Sequence, residues 1–418
     1  MKNANTAHVY NRLQLLKNPS FFCYMIGFFA AAFGNGLGYI AMSWIVIMHH
    51  SNVAAISILM ACFWGPNVLF GPVVGVLADR ISRKKIIIFS NAARALVFIF
   101  FSMYLRDHFH VLTVYAMMVS IGVTFSLFFS ASMGFLRELV PAKQLMYANS
   151  IIDINYEAGN MIGMGLAGLL IAWTSPETAI LINGLAFVIA TITVFVIPKK
   201  ALCHGTKTPP QKIKIFEDYR EGLSYLFKRK KLVMIYTIQL LVFMAFLTTP
   251  LLLVPFSKTV LHATVGEFGI IEACASVGIV VGGIFMPWFA ELYGLMRVLL
   301  FFSIILCVIF AIFGFNRSIS LASVMYLGIG IANAIWPLII TQAQALTDLD
   351  FQGRVQSTFN SISGMMMLAF YFFTGWIAQY YPVNHLYWIE VVIIGIAILF
   401  LLRSKRLFDV GVVVSNQQ

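Results

Sequence analysis

Residues 21–48 read FFCYMIGFFAAAFGNGLGYIAMSWIVIM, a run of 28 residues without a charged side chain. As a helix this run is about 42 Å long, at about 1.5 Å per residue, which exceeds the roughly 30 Å hydrocarbon core of a bilayer. The apolar region of a cleavable signal peptide is only about 7–15 residues long. The run therefore predicts a tilted membrane-spanning helix and not a removable leader.

The composition of the whole chain is that of a protein surrounded largely by lipid. Of its 418 residues, 60% are hydrophobic and 11% are charged, and the mean hydropathy is +0.88. A soluble domain is about 45–50% apolar and about 25% charged, because its surface must face water. The composition excludes a soluble globular enzyme, a nucleic-acid-binding domain and a disordered chain. The five cysteines contain no CxxC pattern, so we expect buried thiols, with no metal site and no disulfide framework.

Polar residues divide the sequence into twelve apolar runs of at least about 20 residues. The predicted spans are 21–48, 53–79, 85–105, 111–138, 146–173, 177–198, 232–257, 265–290, 295–316, 319–346, 355–380 and 385–403. We expect an all-α membrane protein with twelve transmembrane helices in two six-helix bundles.

Lys and Arg are distributed very unequally between the two sides that these spans define. Twenty-four of the 28 lie on the side of the termini, Arg106, Lys258 and Arg317 lie on the other side, and Arg94 lies inside a span. Basic residues concentrate in cytoplasmic loops. We therefore expect a multi-pass protein of a bacterial inner membrane with both termini in the cytoplasm. The same asymmetry accounts for the net charge of +12 without a nucleic-acid partner.

The longest polar stretch, residues 199–231, lies in the middle of the chain. Its apolar residues recur at helical spacing, which predicts a short amphipathic helix on the cytoplasmic membrane surface. A solvated linker is the alternative, and Gly222 weakens the helix prediction. We expect an N-terminal bundle over 1–198, this linker, and a C-terminal bundle with a short tail over 232–418.

Two pairs of matching segments indicate that the halves are related by duplication. Gly71-x₃-Gly75-x₃-Asp79 corresponds to Gly283-x₃-Pro287-x₃-Glu291, and Asn149-Ser150-Ile151 recurs as Asn360-Ser361-Ile362 at nearly the same offset. Internal repeats in a polytopic chain are typical of transporters, whose substrate site lies between the halves near the midplane.

The segment GVLADRISRK, residues 75–84, resembles the G-x-x-x-D-[RK]-x-G-[RK]-[RK] signature of the major facilitator superfamily. It lies between the second and third spans on the cytoplasmic side, as in that family. It departs from the signature at Ser82, where the pattern has Gly. The resemblance implies the major facilitator fold, with two bundles that open a central cavity alternately to each side.

The same segment has a physical interpretation of its own. Gly71 and Gly75 permit close helix approach, Asp79 can cap a neighbouring helix, and arginines can pair with carboxylates on the facing half. Such contacts form a gate that closes and opens during transport. The residues predicted for this gate are Gly71, Gly75, Asp79, Arg80, Arg83, Lys84, Glu291 and Arg354.

Further short segments are similar to one branch of the superfamily, the drug:proton antiporters, which include macrolide-efflux proteins and the enterobactin exporter. These segments are Leu139-Val140-Pro141, Ala148-Asn149-Ser150, the glycine pattern of residues 163–168 and Gly353-Arg354-Val355. Lysophospholipid transporters share part of the pattern. The branch implies proton-driven export of a small amphipathic molecule.

Few ionisable residues lie inside the spans, and each is a functional candidate because its burial in lipid is costly. Glu157, roughly 16 Å along its helix, is the first candidate for a proton-carrying carboxyl, and Glu272 is the second. Arg94 and Asp153 are predicted to form structural ion pairs, Arg94 with Glu157 as one possible partner. Glu267 and Glu390 are predicted to be solvated near the external interface.

Uncharged polar, aromatic and Met residues inside the spans are candidates for the wall of a substrate cavity. Those selected are Asn35, Trp64, Asn67, Gln239, Asn333, Trp336, Met366 and Tyr371. The spans lack the dense polar set of a sugar site, which favours an amphipathic or lipophilic substrate.

We therefore expect a secondary active transporter that exports a drug-like or siderophore-like compound, and not an enzyme. The sequence contains no GxxxxGK[ST], HExxH or GxSxG pattern. We expect no cofactor, the proton gradient as energy source, membrane lipid as the surroundings and a monomer. The alternatives are a lysophospholipid flippase, an importer of a siderophore or nutrient, and, in another class, a non-transporting receptor or scaffold.

Overall fold

The computed structural model describes residues 15–50, 52–141, 144–198, 215–348 and 351–404. In these residues helices are joined by short connections, and no strand is present. The first half contains α1 (Pro19–His49), α2 (Val53–Arg80), α3 (Arg83–Asp107), α4 (Val111–Leu139), α5 (Leu145–Trp173) and α6 (Pro176–Val196). The second half contains α7 (Ile215–Lys228), α8 (Lys230–Thr259), α9 (Val265–Tyr293), α10 (Leu295–Phe313), α11 (Ile319–Asn333), α12 (Trp336–Ala345), α13 (Gln352–Ile377) and α14 (Val383–Arg403).

The prediction of twelve membrane-length helices is confirmed, with α11 and α12 together forming one span. Ten spans in the described residues are long and apolar enough to cross a membrane by length and composition. The other two helices of that length, α5 and α13, contain 29 and 26 residues. The fold is an all-α membrane fold.

Two compact units divide the chain. The N-terminal unit contains residues Met1–Val46 and Ala61–Ile213, and the C-terminal unit contains Ile47–Met60 and Lys214–Gln418. The chain therefore passes from one unit to the other within α1 and again within α2.

Polar residues fix where several helices begin. The side chains of Asn18 and Asn52 accept hydrogen bonds from the backbone N–H groups of Ser20 (3.0 Å) and Ala55 (2.8 Å), in the first turns of α1 and α2. At the start of α9, Thr264 and Glu267 form a reciprocal capping box. Glu267, predicted to be solvated, therefore has a structural partner at the helix start.

A proline breaks the predicted span 319–346 into α11 and α12. Pro337 lies in the first turn of α12 and has no N–H to donate to the carbonyl of Asn333, four residues earlier. α11 ends at Asn333, and the chain resumes as α12 at Trp336. The predicted span agrees with the structure, because α11 and α12 together form one candidate membrane span over Ile319–Ala345.

The turn at Ser82 explains why the signature can lack its glycine. Ser82 has φ −54° and ψ 118°, a conformation open to any residue. At the corresponding turn of the second repeat, Gly294 has φ +88°, which favours glycine. The departure from the signature therefore strains no backbone.

Glycines bring pairs of helices into close contact inside each unit. In the N-terminal unit, a methyl group at Gly163 of α5 would overlap the carbonyl oxygen of Phe33 in α1. In the C-terminal unit, Gly278 of α9 and Gly330 of α11 similarly meet backbone oxygens of each other's helix. Small residues at such crossings let backbones approach within a membrane.

Candidate functional site

Most side chains of the predicted gate lie outside the described part of the structure. The helical backbone of α2 continues to Arg80, but the side chains of residues 71–80 and 352–354 are not described. This covers Gly71, Gly75, Asp79, Arg80 and Arg354. Glu291 is described, and its side chain is exposed at the end of α9.

Arg83 and Lys84 link the start of α3 to neighbouring helices of the N-terminal unit. Nη1 of Arg83 lies 2.8 Å from Oε1 of Glu138 at the end of α4. Nζ of Lys84 donates to the carbonyls of Phe195 (2.9 Å) and Ile197, at the end of α6. A cation at a helix C-terminus is stabilised by the free carbonyls and by the helix dipole.

Arg94 is fully buried in the N-terminal unit, between two aromatic rings. Its guanidinium carbon lies 4.3 Å from the ring centroid of Phe187 and 4.6 Å from that of Phe128. Nη2 donates to Oδ1 of Asn91 at 2.7 Å, and Nη1 is buried with no hydrogen-bond partner. The described hydrogen-bond partners of Arg94 thus lie on its own helix, while Tyr156 of α5 interacts with it electrostatically. Asp153 is the other residue predicted to form a structural ion pair, and its side chain lies outside the described part of the structure.

Glu157 lies beside a polar network between α1 and α5. The hydroxyl of Tyr156 is within hydrogen-bond reach of the side chains of Asn160 and Asn35. Glu157, next along the helix, interacts electrostatically with Tyr156 and has an exposed side chain. Of the predicted residues, the structure thus brings Asn35 and Glu157 close to the same tyrosine.

A buried asparagine in the N-terminal unit was missed in the sequence. Asn183 of α6 lies against Gly34 and Gly38 of α1, and both polar atoms of its amide are buried without a hydrogen-bond partner. The sequence signals were an Asn inside an apolar span and a Gly-x₃-Gly pattern that leaves room for it.

The C-terminal unit contains a second buried polar cluster, and it corrects a prediction. Glu390 of α14, predicted to be solvated, is 0% exposed. The hydroxyl of Thr248 in α8 donates to its Oε1, and its Oε2 is buried without a hydrogen-bond partner. The prediction was wrong because Glu390 lies on the face of α14 that packs against α8.

Glu272, the second predicted proton carrier, belongs to the same cluster. It is 6% exposed, and both it and Glu390 interact electrostatically with Tyr387. The hydroxyls of Tyr387 and Tyr326 lie 3.2 Å apart. Two carboxyls from α9 and α14 thus lie close to the same buried tyrosine.

The remaining predicted cavity residues are distributed over both units. In the N-terminal unit, Trp64 packs edge-on against Phe63 and Phe125, and Asn67 is half-buried. In the C-terminal unit, Trp336 stacks on Phe243 and the hydroxyl of Tyr371 donates to the carbonyl of Leu247 at 3.5 Å.

Three more of these residues belong to the C-terminal unit. Gln239 and Asn333 are buried, and the side-chain oxygen of each has no hydrogen-bond partner. Met366 is exposed. The described contacts therefore divide this set between buried packing positions and accessible ones.

Comparison with known proteins identifies the family. The family model described as Major Facilitator Superfamily matches residues 24–262 and 235–411. The chain belongs to the major facilitator superfamily. It is therefore a multi-pass membrane protein of a transporter family and not an enzyme.

Individual relatives resemble parts of the chain. It is 32% identical over 177 residues to the MFS-type transporter YfiS of Bacillus subtilis. The aligned region covers 42% of this chain and 42% of that protein. It is 26% identical over 233 residues to macrolide efflux protein A of Enterococcus faecalis, covering 54% of this chain and 70% of that protein. The chain thus spans less than half the length of the Bacillus relative that it matches.

Solved structures share the fold over almost the whole chain. The nucleoside transporter NupG superimposes with a TM-score of 0.71 at 13% identity, covering 94% of this chain and 100% of that one. A bacterial homologue of the iron transporter ferroportin, in an inward-facing state, gives 0.72 at 14% identity, covering 92% and 98%. At these identities the likeness concerns the fold alone.

Proposed function

We propose that this transporter exports a small amphipathic compound, drug-like or siderophore-like, by alternating access in exchange for protons. The macrolide-efflux relatives support the export direction and the substrate class. The sequence lacks a P-loop, which supports an ion gradient as the source of energy. The inner membrane of a bacterium, with both termini in the cytoplasm, is the proposed location.

The observation that carries the proton coupling is the exposed carboxyl of Glu157 within a membrane-length helix. It lies twelve residues after the first residue of α5, or about 18 Å along the helix axis. An ionised carboxylate at that depth is costly in contact with lipid. We therefore expect the exposed carboxyl of Glu157 to contact water or a ligand. There it can take up and release a proton as its surroundings change.

The proposed substrate contacts are those selected in the sequence, with Asn35 as the residue nearest the Glu157 network. Because Asn35 and Asn160 can both bond the Tyr156 hydroxyl, a substrate dipole could replace either partner. The proposed cytoplasmic gate consists of the signature residues of α2, Arg83, Lys84, Glu291 and Arg354. Glu272 is the second proposed proton carrier.

The test is transport by the purified protein in proteoliposomes with an imposed pH gradient. A macrolide, a ferric siderophore and a lysophospholipid serve as separate substrates. We expect the macrolide or the siderophore to be moved against its gradient only when the pH gradient is present. Transport of the lysophospholipid alone would instead indicate a flippase.

Glu157→Gln provides the residue test in the same assay. We expect this variant to lose the acceleration of substrate transport by the pH gradient. Exchange of substrate down its own concentration gradient should continue. Glu177→Gln, at the start of α6, is the matched control because that carboxyl lies at a helix end. Unchanged gradient dependence in Glu157→Gln would overturn the assignment of the proton site.

A further inference from the structure

The hydroxyl of Thr248 has more acceptors than it has hydrogens. Its Oγ1 lies 2.9 Å from the carbonyl oxygen of Met244 and 3.3 Å from that of Ala245, and it also bonds Oε1 of Glu390. Carbonyl oxygens can only accept, and a hydroxyl has one hydrogen to donate. If Glu390 is ionised, it competes with Met244 for that single hydrogen.

A protonated Glu390 removes this competition. The carboxylic acid then donates to Oγ1 of Thr248, and Thr248 donates to the carbonyl of Met244. Each of the two hydroxyl hydrogens then has one acceptor, and no two acceptors compete for the same hydrogen. An ionised Glu390 would in addition bury a negative charge whose second oxygen, Oε2, has no hydrogen-bond partner.

Among the described residues, the titratable groups that contact this pair or the residues beside it carry no positive charge. From neighbouring helices they are Glu272 of α9, Cys307 of α10, Tyr326 of α11 and Tyr371 of α13, and Tyr387 lies one turn away on α14. In the described part of the chain, the contacts of Glu390 itself are with Thr248 and Tyr387. A neutral acid fits these surroundings better than a carboxylate.

We propose that Glu390 and Thr248 form a proton-binding site inside the C-terminal unit, in which the proton held by Glu390 sets the hydrogen bonding of α8. The link of this proton to transport rests on the proposed function. The site is separate from Glu157, which belongs to the N-terminal unit. When Glu390 loses its proton, Thr248 turns its hydrogen from Met244 to the carboxylate.

The position of Thr248 gives this exchange a structural consequence. Pro250, two residues later, lies inside α8 and has no N–H for the carbonyl of Phe246. Proline sites are the usual places where helices kink, and hydroxyls that bond back to the preceding turn bend helices further. Protonation of Glu390 therefore adjusts the bend of α8 at its proline.

Infrared difference spectroscopy of the protein in lipid nanodiscs tests the proton directly. We expect the carbonyl-stretch band of a protonated carboxylic acid at neutral pH, and we expect Glu390→Gln to remove it. Thr248→Val should keep the band but shift it to higher frequency, because the acid loses its acceptor. Glu267→Gln, which alters an accessible capping carboxyl, should leave the band unchanged.

Two results would overturn the proton site. One is a spectrum in which Glu390→Gln and Thr248→Val both leave the band as in the unmodified protein. The other is a band that disappears in Glu272→Gln and persists in Glu390→Gln, which would place the proton on Glu272. Because this readout needs no transport, it stands or falls separately from the proposed proton-driven export.

Hydrogen exchange along α8 tests whether protonation of Glu390 changes the bend at Pro250. We expect the protection of amides around Pro250 to fall as pH rises through the titration of Glu390, and we expect Thr248→Val to abolish this dependence. Thr249→Val is the matched control, since Thr249 bonds back to Ala245 at 2.7 Å without touching Glu390. Equal pH dependence in Thr248→Val and Thr249→Val would overturn the proposed coupling between the proton on Glu390 and the bend of α8.

Discussion

Arg94 shows how a single charged residue can be held inside a membrane protein by aromatic rings. Its planar guanidinium lies between Phe128 and Phe187, and each ring face attracts the cation. Asn91 supplies the nearest described side-chain acceptor. Arginine suits this position because its charge is spread over a flat group that is weakly hydrated.

We therefore expect Arg94→Lys to destabilise the protein although the charge is kept. The compact ammonium cannot lie flat between the two rings, and loss of the desolvated cation–π contacts corresponds to about 1–3 kcal/mol. Thermal unfolding in detergent measures the effect. Arg106→Lys, at an exposed position of the same helix, should unfold like the unmodified protein. Equal midpoints for the two variants would show that the rings contribute nothing specific.

At the scale of elements, close glycine crossings fix how helices pack within each unit. α9 and α11 approach through Gly278 and Gly330, each facing a backbone oxygen of the other helix. Backbone cannot move aside as a side-chain end can. The spacing of this helix pair therefore depends on the missing methyl groups.

The helix pair provides its own matched variants. We expect Gly330→Ala to destabilise the protein by about 1–3 kcal/mol through overpacking, since its methyl group would overlap the carbonyl oxygen of Ala275. Gly328→Ala, two residues earlier on α11, would meet only the terminal carbon of Ile309 at 2.9 Å. Chemical denaturation in detergent should separate the two. If both variants are equally stable, the crossing is looser than described.

The helix α7 and the residue after it are held to the connection between α12 and α13 by an aromatic contact, an ionic contact and a hydrogen bond from the N–H of Asp348 to the hydroxyl of Tyr225 (3.0 Å). The rings of Tyr225 and Phe351 stack with centroids 4.3 Å apart, and Nη2 of Arg229 lies 2.9 Å from Oδ2 of Asp348. The hydrogen bond from Arg229 holds the pKa of Asp348 below its usual value. The ionic contact is therefore present above the ordinary pKa of aspartate and is lost as pH falls through the lowered one.

Hydrogen exchange of α7 tests the different pH dependence of the aromatic and the ionic contact. We expect its protection to be constant across neutral pH and to decrease only in strong acid. Asp348→Asn should remove the acid-dependent change, and Tyr225→Ala should reduce protection at every pH because the stacked ring is lost. Since the ion pair is solvent-exposed, high salt should weaken it in the unmodified protein. Protection that falls near neutral pH would contradict this account.

At the scale of the whole molecule, hydrophobic run length predicts the helices but not which faces meet. The predicted span 265–290 agrees closely with α9, because a predominantly apolar run of that length is stable as a helix across a bilayer. The break in the span 319–346 can also be predicted from sequence, because Pro337 has no N–H for the helical ladder. Glu390 could not have been placed, because its contact with Thr248 joins residues 142 positions apart. The position of a residue along its helix does not show which neighbouring helix its side chain contacts.

The distribution of charge also predicts how the whole chain is oriented in the membrane. Cysteine labelling can test this prediction. Twenty-four of the 28 Lys and Arg residues lie on one predicted side, and the excess sets topology during insertion. In a variant lacking the native cysteines, single cysteines at His110 and Tyr381 should react with a membrane-impermeant maleimide on intact cells. Cysteines at Lys228 and Arg297 should react only after permeabilisation.

These four positions are accessible in the structure, so failure to react reports the membrane and not burial. They also sample both halves of the chain. Labelling of Lys228→Cys from outside would reverse the proposed orientation. Labelling of His110→Cys and Tyr381→Cys on opposite sides would contradict the even number of crossings between them. If the expected pattern holds, the basic run from Lys228 to Lys231, where α7 ends and α8 begins, lies in the cytoplasm, where anionic lipid headgroups attract it.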